Sequence, residues 1–164
     1  MLVMRYLTGK ESKEAQKFIL AAAEEAKKST CKKSQRGVVI VKNGKIIGRG
    51  HNKVTIEKYC NPCIREHIKD NSKVELCSAL HAEQVAILDA LKRGENLEGS
   101  RMYHISVKNS KIRTSEDVSC TVCSRFVLES GISEFVLFHK KGFGLYTAEE
   151  FNEKSFEYFK KYNP

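Results

Sequence analysis

The chain has 164 residues, of which 41% are hydrophobic, and its 29 lysines and arginines against 20 acidic residues give a net charge of +9. This length suits one ordinary domain with a sizeable core, residues 1–164 together, and the absence of a long apolar run predicts no membrane span. The first residues lack the apolar core and cleavage site of a secretion signal, so we expect a cytoplasmic protein. The positive charge favours anionic partners such as nucleotides or nucleic acid, although a solvated cationic surface explains it as well.

The first half of the chain predicts a helix, a hairpin and an irregular segment. Strong helix formers with apolar residues at helical spacing predict a helix from about Glu11 to Lys28. Two β-branched runs separated by Asn43-Gly44 predict a β-hairpin. The polar stretch 59–77, "YCNPCIREHIKDNSKVELC", predicts a loop or short turns.

The second half alternates helices and strands, in the order 81–94 (helix), 102–109 (strand), 120–131 (helix) and 133–139 (strand). A capping box at Thr147 and Glu150 then begins a final helix. This alternation predicts an α/β fold with a mixed sheet and helices on both of its faces.

Six cysteines occur, at positions 31, 60, 63, 77, 120 and 123, and two pairs of them have the spacing Cys-x-x-Cys. In a chain without a secretion signal this spacing is typical of metal ligands or redox centres rather than of a disulfide framework.

Three of the candidate ligands stand at the starts of two predicted helices. His81 begins one helix, and Cys120 and Cys123 begin a later one. A catalytic zinc ion takes three protein ligands of this kind and keeps one open position. Glu83 follows His81 by two residues, so it can reach what the ion carries while His81 binds the ion itself. The pattern predicts a catalytic Zn²⁺ with Glu83 as the acid beside it.

The four other cysteines predict a second, structural zinc site. Four thiolates in a tetrahedral array make a closed zinc site, and the ligands would be Cys31, Cys60, Cys63 and Cys77, with His67 as the substitute for a distant Cys31. Such a site would hold a zinc-binding insertion of about residues 57–79. The alternative is that Cys31 and Cys77 are small buried hydrophobic residues.

Two motifs carry a resemblance to a known family. "HAE" at 81–83 and "SCTVCSR" at 119–125 resemble the zinc-dependent cytidine and deoxycytidylate deaminases. The stretch "CIREHIKDNSKVELCSALHAEQVAI" is similar to the deoxycytidylate branch, and the resemblance covers roughly Phe18 to Phe138. It implies a three-layer α/β/α sandwich around a five-stranded mixed sheet, and a homo-oligomer.

The resemblance also implies a reaction and contacts with a substrate. The reaction would be hydrolytic deamination of a cytosine nucleotide, with dCMP as the first candidate, and Glu83 would transfer its protons. The backbone beside Ala82 and the side chain of Asn52 would contact the pyrimidine nucleotide; Asn52 alone would otherwise be read as a turn residue. Arg65 is the first candidate for the phosphate. Further cationic candidates are Lys32, Lys33 and Arg36.

The chain departs from the family pattern around the expected substrate pocket. Ser119 stands where the family has proline, and Val85 where the deoxycytidylate branch has asparagine. These departures leave two alternatives open. One is the same chemistry on a nucleic-acid base or a modified pyrimidine. The other is a zinc-stabilised nucleic-acid-binding module without catalysis. Glu83 argues against this alternative, because a closed structural zinc site does not need an acid beside its histidine.

Overall fold

The computed structural model describes residues 3–68, 73–118 and 120–161. The four helices are α1 (Gly9–Ala26), α2 (Ala82–Lys92), α3 (Thr121–Glu129) and α4 (Ala148–Lys160). The strands are β1 (Arg5–Tyr6), β2 (Gln35–Lys42), β3 (Lys45–His51), β4 (Lys53–Val54), β5 (Ala79–Leu80), β6 (Arg101–Lys108), β7 (Lys111–Arg113), β8 (Glu134–His139) and β9 (Gly142–Thr147).

The main sheet is mixed and has the order β1-β9-β8-β6-β2-β3, with β7 paired to the end of β6. Strands β6 and β8 are parallel, and the other pairs are antiparallel. Its five long strands, β2, β3, β6, β8 and β9, have six to eight residues each. The five-stranded mixed sheet is thus confirmed as the body of the fold, to which β1 and β7 add short edges. Strands β4 and β5 form a separate ribbon.

Helices cover both faces of the sheet, as the alternation predicts. On β2, Val39 and Val41 belong to the core that α1 closes, whereas Val38 and Ile40 point to the opposite core under α2, α3 and α4. Successive residues of a strand point to opposite faces of the sheet, so the buried strand β2 contributes side chains to both cores. The α/β/α sandwich is therefore confirmed.

Helix α2 lies unusually close to β3 at Gly50. A Cβ atom at Gly50 would lie 2.4 Å from the carbonyl oxygen of Ala82 and 2.4 Å from the backbone nitrogen of Ala86. Both contacts are with backbone, which cannot move aside as a flexible side chain would. Glycine at this position therefore lets the first turn of α2 sit directly on the sheet.

Within the described residues, five strands were not predicted from the sequence patterns, namely β1, β4, β5, β7 and β9. Strand β9 contains Gly142 and Gly144, which weaken strand propensity, and it forms because it pairs along its whole length with β8. Strand β1 has two residues and exists through its pairing with β9. The segment 59–68 and 73–77 is irregular, as predicted. It contains turns, one isolated bridge between Cys60 and Cys63, and turns of 3-10 helix at Glu57–Tyr59 and Val74–Leu76 on its borders. No helix within the described ranges is long and apolar enough to cross a bilayer.

Candidate active site

His81 is fixed at the start of α2. It is the N-cap residue of the helix, and its backbone N–H donates to Oε1 of Gln84 at 2.9 Å. Its Nδ1 atom lies 3.1 Å from Sγ of Cys123 and 3.3 Å from Sγ of Cys120. The imidazole therefore faces both thiols across the gap between α2 and α3.

Cys120 and Cys123 are held in the same way by α3. Cys120 is the N-cap residue, and its sulfur accepts a hydrogen bond from the backbone N–H of Cys123 at 3.4 Å. The ligand atoms of His81, Cys120 and Cys123 all lie within 4.8 Å of one another, and within the described ranges no other group of three such residues does so. One imidazole nitrogen and two sulfurs are a donor set that fits zinc.

The electrostatics of this cluster favour a cation. The hydrogen bond from Cys123, with a second from His81, lowers the pKa of Cys120 to about 5. The pKa of Cys123 is raised, chiefly because it shares that hydrogen bond and is buried. Burial opposes the charged form of His81, but its hydrogen bonds to Cys120 and Cys77 raise its pKa to about 10. The negative charge that stabilises a proton on the buried imidazole would also stabilise a metal cation bound at the same place.

Glu83 lies in the first turn of α2 and is 4% exposed. Its negative charge helps to raise the pKa of Cys123, so the carboxylate lies beside the metal-ligand group. A carboxylate that is buried beside three potential metal ligands is a candidate for proton transfer to or from a molecule bound there.

His104, on β6, is a site residue that the sequence patterns missed. It is 5% exposed, and its Nε2 atom lies 3.9 Å from Oε1 of Glu83. Burial lowers its pKa to about 4, although the Glu83 carboxylate acts in the opposite direction. His104 is therefore neutral at neutral pH. A histidine at a core-facing position of an apolar strand was the signal that could have identified it.

His81, Glu83, His104 and Cys120 line one cavity of about 600 Å³. The expected substrate contacts Asn52, Ala82 and Arg65 all lie on its wall together with Glu83. The remaining polar and cysteine lining includes Cys31, Lys33, Ser34, Arg36, Cys60, Cys63, Cys77, His81, His104, Asp117 and Cys120. Ser119, where the family has proline, lies outside the described residues.

Asn52 uses its side-chain amide to hold the opposite wall. Its Oδ1 accepts from the backbone N–H of Arg36 at 2.8 Å, and its Nδ2 donates to the carbonyl of Ser34 at 2.7 Å. Each amide end keeps capacity for one further hydrogen bond. Asn52 therefore positions the loop before β2 and can still contact a ligand.

The lysines of that loop contact the cysteine-marked segment. Nζ of Lys33 donates to the carbonyl oxygens of Arg65 and Ile68 at 2.5 Å each. Lys32 donates to Oδ1 of Asn61 at 3.1 Å. These two ammonium groups join two loops in this structure. Arg36 and Arg65 are the arginines that line the cavity.

The four remaining cysteines meet at the same cavity without forming one compact group. Cys60 and Cys63 form an isolated β-bridge, and Sγ of Cys60 lies 3.0 Å from Oγ of Ser78. Cys77 contacts His81, and this hydrogen bond lowers its pKa. His67, the substitute ligand, is exposed. Within the described ranges, only the His81 group has ligand atoms close enough together to hold a metal ion.

The protein thus has an α/β fold with a potential zinc site and a buried carboxylate beside it. Residues 12–139 match the model of the family described as the cytidine and deoxycytidylate deaminase zinc-binding region. The match covers most of the chain, and the chain belongs to this family.

Individual relatives agree with the family. Deoxycytidylate deaminase of Saccharomyces cerevisiae (strain ATCC 204508 / S288c) is 28% identical over 122 residues, which are 73% of this chain and 35% of that protein. The chain therefore spans about a third of the length of the curated relative that it matches.

Two solved structures show the shared fold. The dCMP deaminase from cyanophage S-TIM5, in complex with dCMP and dUMP, is 23% identical with a TM-score of 0.52, over 79% of this chain and 82% of that one. The cytidine deaminase from Burkholderia pseudomallei is 19% identical with a TM-score of 0.57, over 83% and 94%.

Proposed function

We propose that the protein is a zinc-dependent deaminase that hydrolyses a cytosine nucleotide, with dCMP as its main substrate, to the uracil nucleotide and ammonia. The observation that carries this proposal is the buried carboxylate of Glu83 beside the group of His81, Cys120 and Cys123. A purely structural zinc site is closed by its ligands and has no use for a buried acid next to it.

His81, Cys120 and Cys123 would hold the zinc ion. When bound there, zinc supplies a Lewis acid that lowers the pKa of a coordinated water toward about 7. Glu83 accepts the proton of the attacking water and passes it to the ring nitrogen of the cytosine. It then takes the second proton of that water, from the hydroxyl group now on the ring carbon, and delivers it to the departing ammonia. Proton transfer by a positioned side chain contributes about a hundred- to ten-thousand-fold in rate.

The walls of the cavity supply the remaining roles. The backbone beside Ala82, at the positive end of α2, hydrogen-bonds the pyrimidine, and Asn52 contributes its remaining amide capacity. The neutral His104 keeps the Glu83 side chain in place. Arg65 is a candidate contact for the phosphate, since it lines the same cavity.

The choice of dCMP rests on three supporting facts. The Saccharomyces relative is named a deoxycytidylate deaminase, and the cyanophage enzyme was solved with dCMP and dUMP. The net charge of +9 favours a phosphorylated substrate over a neutral nucleoside. A homo-oligomer and a cytoplasmic location remain predictions.

We also propose a second, structural zinc ion in the insertion at about 57–79. The support is that Cys31, Cys60, Cys63 and Cys77 line one cavity, with Cys60 and Cys63 paired by a backbone bridge. The segment has little regular structure of its own, so a metal ion would give it a fixed path.

The experiment that tests the main proposal is ammonia release by the zinc-loaded protein. The panel contains dCMP, CMP, deoxycytidine, cytidine and single-stranded DNA. We expect the highest kcat/KM for dCMP and a lower value for each nucleoside. No ammonia from any member of the panel, with one or more zinc ions per chain confirmed, would refute the deaminase.

A further inference from the structure

A second cavity, of about 530 Å³, opens beside the first one. The two cavities adjoin, because they share the lining residues Cys31, Lys33, Ser34 and Arg36. The second cavity is lined by five cationic side chains and by hydroxyl groups, and no carboxylate is among its described lining residues. The cations are Lys32, Lys33, Arg36, Lys108 and Arg113. A concave surface of one charge sign concentrates ligands of the opposite sign.

Three of these lining residues stand in one row across the sheet. Arg36 of β2 is directly opposite Ser106 of β6, and Ser106 is directly opposite Arg113 of β7. Directly opposite residues point to the same face with their Cβ atoms about 5 Å apart. Met102, two steps before His104 on β6, packs in the core under α2, α3 and α4. Ser106 lies two steps beyond His104, so the row shares the face of the catalytic cavity.

The side chains of Arg36 and Arg113 have hydrogen-bond donors that the other described protein groups do not use. Within the described ranges neither the Arg36 nor the Arg113 guanidinium has an ion pair or a hydrogen bond from its side chain. The two guanidinium charges, one on each side of Ser106, repel each other. An anion bound between them would offset this repulsion. Each guanidinium group can donate two parallel hydrogen bonds to a phosphate. The hydroxyl of Ser106 is a third donor group beside the two arginines.

The distance from the catalytic acid is also suitable. Ser106 follows His104 by two residues on β6, which is about 7 Å along a strand, and His104 lies 3.9 Å from Glu83. A group bound over Ser106 is therefore separated from the reacting carbon by roughly the length of a sugar and part of a base. This matches the place of the phosphate in a nucleotide whose base lies against Glu83.

We propose that Arg36, Ser106 and Arg113 form the binding site for the phosphate monoester of the substrate, and that this site selects nucleotides over nucleosides. The inference deepens the proposed function and rests on it for the identity of the ligand. It differs from the sequence-based assignment, in which Arg65 is the first candidate for the phosphate.

The first test is substrate preference, measured as kcat/KM for dCMP divided by kcat/KM for deoxycytidine. We expect Arg113→Gln to lower this ratio about ten- to a hundredfold, the range of one charge-assisted contact, and Arg36→Gln to do the same. Lys45→Gln, which removes the same charge at the far end of the β2–β3 hairpin, should keep the wild-type ratio. An unchanged ratio in both arginine variants, or a loss seen only in Arg65→Ala, would overturn the proposal.

The second test does not depend on turnover. Inorganic phosphate is titrated by calorimetry into the zinc-loaded wild type, Arg113→Gln and Lys45→Gln. We expect the dissociation constant to rise at least tenfold in Arg113→Gln alone; equal affinities in all three would overturn the site. If no substrate releases ammonia, the proposed function fails while this titration still decides the anion site. A higher kcat/KM for single-stranded DNA than for dCMP would assign the row to a phosphodiester and overturn the monoester.

Discussion

Two sets of potential zinc ligands meet at one cavity, and they differ in how the chain holds them. His81, Cys120 and Cys123 stand at the first residues of two helices that pack against a shared core. Cys60, Cys63 and Cys77 stand in a segment of turns, and Cys31 in the loop after α1. The first set is gathered to within 4.8 Å, whereas the second set shares only the cavity wall.

The difference shows what secondary structure does for a metal site. A helix that is anchored to the sheet fixes the direction of its first side chains before any ion arrives, so the ligand geometry is part of the fold. A turn segment cannot do this, because few buried contacts resist its motion. Its geometry has to come from the ion itself, and folding and metal binding are then coupled.

The largest effect should come from removing the acid of the pre-formed set. Glu83→Gln keeps the size of the side chain but removes the proton acceptor. We expect kcat for dCMP to fall by about a hundred- to ten-thousand-fold, while the zinc content stays at the wild-type value. Ammonia release and metal analysis on the same sample measure both quantities.

Glu129→Gln, an exposed residue of α3, is the matched control and should retain activity. Wild-type turnover in Glu83→Gln would contradict the role of Glu83, and loss of zinc would show that Glu83 is needed to hold the metal.

The next effect separates the two sets. Wild type should contain two zinc ions per chain, and Cys60→Ser should contain one. We expect Cys60→Ser to lower the free energy of unfolding by about 4 kcal/mol or more, the range in which loss of a metal falls. The complementary variant Cys123→Ser should also contain one ion but lose all activity. A single zinc ion in fully loaded wild type would end the proposal of a second site.

A smaller effect tests the anchoring of α2. Gly50→Ala places a Cβ atom against the backbone of Ala82 and Ala86. Overpacking of this kind costs up to about 3 kcal/mol, and we expect loss of activity because the helix shifts together with His81 and Glu83. Urea unfolding and kcat measure the two consequences. Gly99→Ala is a useful comparison, because a Cβ atom there meets no neighbour although the backbone has φ = +73°.

If Gly50→Ala lost no more stability than Gly99→Ala, the close approach of α2 to β3 would not be what positions the site.

The smallest effect is a pH dependence of stability. The folded-state pKa of His104 is about 4, below its unfolded value of about 6.5. Between these two values the unfolded state binds more protons, so stability falls as the pH falls through this window. Relative to His104→Leu, wild type should lose about 2 kcal/mol between pH 7 and pH 5.

Denaturant unfolding of both proteins at pH 7, 6 and 5 measures this difference. Taking the difference between the two proteins cancels the loss of zinc that acid causes in both. A difference that does not change with pH would show that the imidazole titrates alike in the folded and unfolded chains.

Much of the metal centre could be predicted because its parts are local. The helical period places α2 and α3, and residues at helix starts can converge on a point beyond the helix ends, which is where His81 and the two cysteines are found. Cys31, Cys60, Cys63 and Cys77 show the limit of such reasoning. Ligand spacing indicates what the side chains could bind, but the path of an irregular segment decides whether they meet.

Other features depend on contacts between distant strands and could not be predicted from local patterns. Strand β9 contains two glycines and forms through its pairing with β8. His104 acquires its role from the packing of β6 against α2, and the row of Arg36, Ser106 and Arg113 exists only once three strands are in register.

Strand β6 sets the distance between the catalytic acid and the proposed anion site. His104 and Ser106 point to the catalytic face, while their neighbours Tyr103, Ile105 and Val107 fill the core under α1. Inserting or deleting one residue before His104 would exchange the two faces of β6, which would turn Ser106 toward α1 and place Tyr103 or Ile105 beside Glu83. The pairing of β6 with β2 on one side and β8 on the other makes such a slip costly. The alternation of side chains along this one strand thereby fixes how far Ser106 lies from His104 and its neighbour Glu83.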